Sequence, residues 1–283
     1  MIRLHVRVLD ALAGLLARIP IPVADALAWA LAWAWWTVLP VRRSVALDNL
    51  AAALPDLAPR GPVLRRMLHD LALGYLELLR FLRDPDRGRR MVSFEGLDRM
   101  REHTREGRGV LACEGHFGAW DLALLAAGLE PALPLTCIVR PPADPWVAAL
   151  VERARRASGV ELLPPRGSRD AVYAALAAGR IVIFTLDQRV GDGLDVPFLG
   201  RPARTAASRA AAARRTGCPV FLVHQWREGP GRHRLRVEPA IDLAWTDDRD
   251  ADLAAATVRF NEALAGLVRA RPHGWLWLHR RWR

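Results

Sequence analysis

The residues best suited to chemistry lie in Gly109–Gly128, GVLACEGHFGAWDLALLAAG. Val110–Cys113 is a short apolar run that reads as a buried strand. Gly115 and Gly118 break it, and Ala119–Ala127, rich in alanine and leucine, restarts the chain as a helix. His116 sits in the break and Asp121 one turn into the helix. An imidazole and a carboxylate at that spacing, on a strand-to-helix turn, suit a general base and the group that orients it.

Spacing alone does not select this pair. With 8 His and 30 acidic residues in 283 positions, chance supplies about one His-x4-acid match. The chain holds three: His5/Asp10, His116/Asp121 and His233/Glu238. The first lies in a helical pattern, where five residues turn about 500° and the side chains diverge by about 140°. The third lies in the strand-like RHRLRVEP, where positions five apart face opposite sides about 17 Å away from each other. Only His116/Asp121 has a glycine-broken turn that folds the pair together.

The positions around the pair are set by an alternation of strand-like and helix-like runs. Leu135–Arg140 reads as a strand, Pro145–Ala157 as a helix, Val160–Leu163 as a short strand, Arg169–Ala178 as a helix and Ile181–Leu186 as a strand. Ala203–Thr216 reads as a helix, Val220–Gln225 and Leu235–Val237 as strands, and Asp252–Arg269 as a long closing helix. This predicts an α/β domain with a mixed, largely parallel sheet covered by helices. Ligands gather at the carboxyl ends of such strands, and His116, Arg140 and Asp187 each follow one. Met67–Leu82 is an amphipathic helix ahead of the sheet.

The N-terminal region differs in kind. Met1–Ile19 places Leu4, Val8, Leu12, Leu15 and Ile19 at helical spacing among arginines, which suits a membrane surface. Val23–Leu39 has Asp25 as its only charge, and its 17 residues are at the lower limit of a spanning helix. Trp29, Trp33, Trp35 and Trp36 favour the membrane–water interface. A cleaved signal peptide and a buried helix hairpin are the alternatives; a membrane anchor or interfacial hairpin is the favoured reading. The division is therefore membrane-associating helices over 1–41 and a catalytic domain over 42–283.

Composition narrows the partners. Net charge is +11 and all 41 basic residues are Arg, which favours an anionic partner. Zinc-finger spacing, RNP-like motifs and basic heptads are missing from the sequence, so nucleic acid is not expected. Cys113, Cys137 and Cys218 sit in or beside apolar runs without metal-ligand spacing and read as free thiols, with no metal or cofactor expected.

GHFGAWD resembles the H-x4-D/E signature of bacterial glycerolipid and lipid A acyltransferases, and its surroundings are similar to the lipid A late acyltransferase family. That family more often has Asn-Trp-Glu where this chain has Ala119-Trp120-Asp121. Arg42–Leu57, Phe94–Met100, the IVRPP stretch at Arg140, Asp187-Gln188 with its Pro-Phe-x-Gly sequel, and the tail HGWLWLHRRWR resemble family blocks in the same order, over roughly Arg42 to Arg283.

The resemblance implies an O-acyltransferase moving a fatty acyl chain from acyl carrier protein, or from CoA, to a hydroxyl of a lipid A precursor or related anionic glycolipid. The cytoplasmic face of the inner membrane is the implied location. His116 is then the base and Asp121 its orienting acid. Arg140 is a candidate phosphate holder, and so is Arg204, at the start of the expected helix, where a helix N-terminus favours anions. Asp187 and Gln188 are candidate substrate-binding residues, although Asp187 also suits a turn or cap. The three tail tryptophans Trp275, Trp277 and Trp282, among arginines, suit a membrane interface or, equally, helix-end packing.

No serine lies in a G-x-S-x-G elbow, so the acceptor's own hydroxyl is the expected nucleophile. Three rivals stay open. They are acylation of another lipid (phosphatidylinositol mannoside, lysophospholipid or ornithine lipid), a non-catalytic lipid-binding membrane protein, and a thioesterase in which His116 activates water.

Overall fold

The computed structural model describes residues 10–139 and 144–282. Four helices come first: α1 (Asp10–Leu16), α2 (Ile21–Thr37), α3 (Arg43–Ala53) and α4 (Arg60–Arg83). Then follow α5 (Pro85–Arg89), β1 (Val92–Glu95), α6 (Asp98–Arg105), β2 (Val110–Glu114), α7 (Trp120–Gly128) and β3 (Leu135–Ile138). The middle of the chain continues with α8 (Pro145–Ser158), β4 (Glu161–Leu163), α9 (Arg169–Ala177) and β5 (Ile181–Thr185). The last third holds β6 (Leu194–Phe198), β7 (Arg201–Thr205), α10 (Ser208–Thr216), β8 (Val220–Gly229), β9 (Arg232–Ala240) and α11 (Arg249–Ala270).

The main sheet runs β1-β9-β8-β2-β5-β3-β4. Every neighbouring pair is parallel except β8/β9, which are antiparallel. This is the expected mixed, largely parallel sheet, buried on both faces. Val110 and Ala112 of β2 face a cluster with α7 that includes Leu122, Leu125 and Ala126. Leu111 and Cys113 face the opposite cluster with α10 and α11, which includes Ala213, Phe260 and Leu264. The period-two alternation of β2 thus anchors the site-bearing turn between two cores.

One expectation is corrected. Ala203–Thr216 is not one helix: β6 and β7 form a separate hairpin, and α10 starts only at Ser208. Leu199 and Gly200 both take positive φ, 50° and 77°, as a two-residue hairpin turn requires. Within the two strands Val196, Phe198, Ala203 and Thr205 are buried at period two, alternating with exposed or half-buried residues. Pro202 and Pro197 face each other across this isolated ribbon, a setting in which prolines are tolerated. The sheet also holds an element the sequence does not announce: β1, a four-residue edge strand too short and polar to stand out.

Ala24, Ala28 and Ala32 of α2, spaced by four, are all but fully buried, the first two in a cluster with Leu73 and Leu76 of α4. Leu12, Leu15, Val23, Leu31, Trp33 and Leu39 are exposed. Among the described residues no single helix is long and apolar enough to cross a membrane; α1 and α2 satisfy length and composition only as a pair bent by 116°. The three cysteines are free thiols, two of them buried.

Candidate active site

β2 and β5 pair in register, with Glu114 opposite Thr185. Each strand is followed two residues later by a polar side chain, His116 and Asp187, and the pairing brings these together. His116 Nδ1 lies 2.7 Å from Asp187 Oδ1, and the His116 backbone N–H donates to Oδ2 at 2.6 Å. The Trp275 indole N–H donates to the same Oδ2 at 2.8 Å. Asp187 is fully buried, and its carboxylate accepts three hydrogen bonds. That leaves His116 Nε2, whose polar neighbour is the Gln188 amide at 3.5 Å.

Two glycines allow the turn. A Cβ on Gly115 would fall 2.8 Å from Leu264 Cδ1 and 3.3 Å from Asp187 Oδ2. Gly118 has φ +46°, and a Cβ there would meet the Gln225 amide nitrogen at 2.5 Å. That amide donates to the Phe117 carbonyl and fastens the turn to β8. Gly118→Ala is therefore expected to destabilise the protein by about 1–2 kcal/mol through the left-handed backbone alone. Loss of the Gln225 bond adds to that. Thermal melting of the detergent-solubilised protein checks it, and a melting temperature equal to wild type would refute the account.

The pair His116/Asp121 is not formed as a hydrogen-bonded dyad. Asp121 lies in the first turn of α7 and faces α4 and α8. There it shares with Leu78 the walls of two adjoining apolar spaces, one reaching Gly74, Tyr75 and Trp120, the other Leu124, Leu150, Val151 and Arg155. The His116 ring turns the other way, toward the end of β5. Asp187, placed in the sequence among substrate-binding candidates, is the acid hydrogen-bonded to His116 Nδ1.

Electrostatics separates the three nearby acids. Burial raises all of them, but the charge and hydrogen bonds of His116 outweigh it at Asp187 and hold that carboxyl well below its usual range. Burial keeps Asp121 raised against the pull of Arg155 and His116. Burial, opposed by His116 and reinforced by Asp121 and Asp187, lifts Glu114 to about 8. Burial would lower His116, yet the charge and hydrogen bond of Asp187, with Glu114 and Asp121 behind them, raise it to about 9. The ion pair at this site is His116–Asp187.

The remaining expected residues divide. Gln188 is at the site. Arg204 is not at a helix start but in β7, where it pairs with Asp195 at 3.2 Å and donates to the Gly191 carbonyl; its helix-terminus role is withdrawn. Arg140 lies outside the described residues. Trp275 and Trp277 are fully buried rather than interfacial. The tail instead runs under the site: Leu276 N–H donates to the His116 carbonyl, Gly118 N–H to the Gly274 carbonyl, and Phe117 bridges Trp275. His279 brings a second imidazole to His116, with ring centroids 5.0 Å apart. The sequence carried the signal for this segment in its density of Trp, His and Arg, but not its destination.

Comparison with known proteins gives a family match over nearly the whole chain. The profile of the family described as Bacterial lipid A biosynthesis acyltransferase matches residues 7–283. The phosphatidylinositol mannoside acyltransferase of Mycobacterium tuberculosis H37Rv is 26% identical over 192 residues, covering 66% of this chain and 58% of that protein. Its Mycolicibacterium smegmatis counterpart is 28% identical over 183 residues, 62% of this chain and 57% of that protein. The lipid A biosynthesis palmitoleoyltransferase of Escherichia coli K12 is 24% identical over 249 residues, 86% of this chain and 79% of that protein. The chain thus spans less than three fifths of the mycobacterial relatives' length. A histidine-centred turn at the end of a parallel strand and a match over nearly every residue lead to one conclusion: the chain belongs to the bacterial lipid A biosynthesis acyltransferase family.

Proposed function

We propose that the protein is a membrane-associated O-acyltransferase that moves a fatty acyl chain from a thioester to a hydroxyl of an anionic glycolipid. The observation that carries this reading is the His116–Asp187 pair, in which Asp187 accepts three hydrogen bonds and His116 Nε2 has, among the described residues, only the Gln188 amide at 3.5 Å. His116 takes the acceptor's O–H proton at Nε2, and the oxygen attacks the thioester carbonyl carbon. The C–S bond of the tetrahedral intermediate then breaks. The sulfur leaves as a thiolate that recovers the proton from the imidazolium, while Asp187 stabilises that cation throughout. The acyl chain would lie along the apolar residues between α4, α7 and α8 that begin beside Trp120, and these must part to admit it.

An acidic carrier protein as donor complements a chain of net charge +11, with CoA as second donor. The acceptor by family is a lipid A precursor. A phosphatidylinositol mannoside is the second reading, favoured by the identity to the mycobacterial enzymes. The apolar outer face of α1 and α2 would rest in the membrane interface, on the cytoplasmic side where the donors are.

The test offers detergent-solubilised protein labelled acyl carrier protein and acyl-CoA, with lipid A precursor, phosphatidylinositol mannoside, lysophospholipid and ornithine lipid as parallel acceptors. Label in the lipid A precursor is the expected result. Label in another lipid replaces the acceptor. Fatty acid released without any acceptor makes the protein a thioesterase, and no turnover of either donor overturns the reading.

A further inference from the structure

We propose that His279 is a positioning residue of this site: its ring closes one side of the His116 imidazole, so that Nδ1 stays on Asp187 and Nε2 stays open. His116 has an aromatic neighbour on two elements. Trp120 of α7 stands edge-on at a centroid distance of 5.0 Å and 75°, and His279 of the tail at 5.0 Å and 68°. Asp187 fixes one ring nitrogen but leaves rotation about the side-chain bonds to be limited by packing. Trp120 and His279 supply that packing.

The tail is held where it can do this. Asn49 of α3, buried, donates both amide hydrogens to it, to the Trp277 carbonyl at 3.0 Å and the His279 carbonyl at 2.6 Å. Arg42, just before α3, donates to the Leu278 carbonyl between them at 3.2 Å. Three successive tail carbonyls are therefore tied to the start of the catalytic domain, and the His279 ring is delivered from a fixed backbone. Its Nε2 is buried without a hydrogen-bond partner among the described residues. A buried polar atom left unpaired is costly, and here the position uses the ring's shape rather than its hydrogen bonds.

Charge fits the same role. The ionisable groups near His116 are Asp187 after β5, Glu114 of β2, Asp121 of α7 and His279 of the tail. Those near His279 are Asp187, His116, Arg42 and Arg281. Burial, opposed by Asp187 and reinforced by His116, Arg42 and Arg281, lowers His279 from its ordinary range and so favours its neutral form beside the His116 imidazolium. A neutral ring beside the imidazolium excludes water from the ion pair without competing for Asp187.

The inference rests on His116 as the base, so its test reads His116 directly. Histidine ring signals are titrated by NMR in wild type, His279→Ala, His279→Phe and Asn49→Ala, alongside kcat/KM for acyl transfer. In His279→Ala water reaches the pair, and the His116 midpoint is expected to fall from about 9 toward its ordinary 6.5. The kcat/KM limb should follow, with a loss of about ten- to a hundredfold, as for a displaced catalytic group. Asn49→Ala, which leaves the ring intact but frees the tail, is expected to shift the midpoint the same way. His279→Phe restores the wild-type midpoint and rate. An unchanged midpoint in both His279→Ala and Asn49→Ala overturns the proposal, as does a Phe variant as defective as the Ala variant. A shifted midpoint in a protein that transfers no acyl group leaves the positioning role standing and removes the transferase reading.

Discussion

Asp187→Asn is expected to lower kcat for acyl transfer by about 10⁴, the loss seen when the same exchange is made at the acid of a serine protease triad. The reason is the tautomer. Asp187 accepts from His116 Nδ1 and backbone N and from Trp275. With Nδ1 as donor, Nε2 carries the free lone pair a base needs. An Asn amide can present its NH2 to Nδ1, which places the proton on Nε2 and removes the base. Asp121→Asn leaves all three bonds intact and removes only a nearby charge, so a loss of about tenfold or less is expected, one pKa unit being worth about 1.4 kcal/mol. Single-turnover transfer measured on both variants decides the assignment. Equal losses, or a larger one at Asp121, would return the orienting role to Asp121.

The same pair gives the rate a pH dependence. His116 at about 9 is mostly protonated near neutrality, and a base must first lose that proton. Wild-type kcat/KM therefore rises with pH until about 9, whereas the Asn variant levels off at a lower pH and at a far lower plateau. Stability runs the other way. His116 is raised above its unfolded value of 6.5, so its contribution is complete below 6.5 and is lost as pH rises through about 9. The enzyme is fastest where this contribution is being lost.

How much of this could be read from the chain follows from how local each feature is. The β2 and β5 runs, the two glycines of the turn and the boundaries of α8 are local; in the structure Asp144 caps α8 by accepting from the Trp146 and Val147 N–H groups. The His116–Asp187 contact spans 71 positions. It needs the parallel pairing of β2 with β5, which composition does not state, although both residues were recognisable as strand-end polar groups. The β6/β7 ribbon was misread because ARTAASRAAAARR has strong helix propensity throughout. What starts its first residues as a strand is the Leu199–Gly200 turn and burial against α11, including the Asn261 amide on the Pro197 carbonyl at 3.0 Å. By residue type the tail suits an interface and helix-end packing equally, and the structure buries it. Its burial depends on a cavity that other segments build.

Glu77→Gln is expected to cost about 3–5 kcal/mol of stability, the range for removing one partner of a buried ion pair. Glu77 of α4 is fully buried. It accepts from Arg227 Nη1 at 2.6 Å, from the Gly231 backbone N–H at 2.8 Å, and pairs with His233 at 2.9 Å. Gly231 is in the turn of the β8–β9 hairpin, so one carboxylate ties α4 to both strands. Burial works against its charge, yet His233 and Arg227 lower it from 4.5 to about 2. A depressed acid stabilises the fold above its unfolded value, so this contribution is complete above 4.5 and fades as pH falls from 4.5 toward 2. Glutamine keeps the shape but leaves Arg227 with the partly satisfied Asp70 contact at 3.2 Å and His233 Nε2 without its carboxylate partner. Denaturant unfolding of both proteins at pH 7 and pH 3 measures the effect. The gap between them should be several kcal/mol at pH 7 and should narrow at pH 3, where the wild type has begun to lose the same charge. A gap below about 1 kcal/mol at pH 7 would place the cluster with exposed pairs in energetic terms. The attachment of α4 to the sheet would then rest on its apolar face alone.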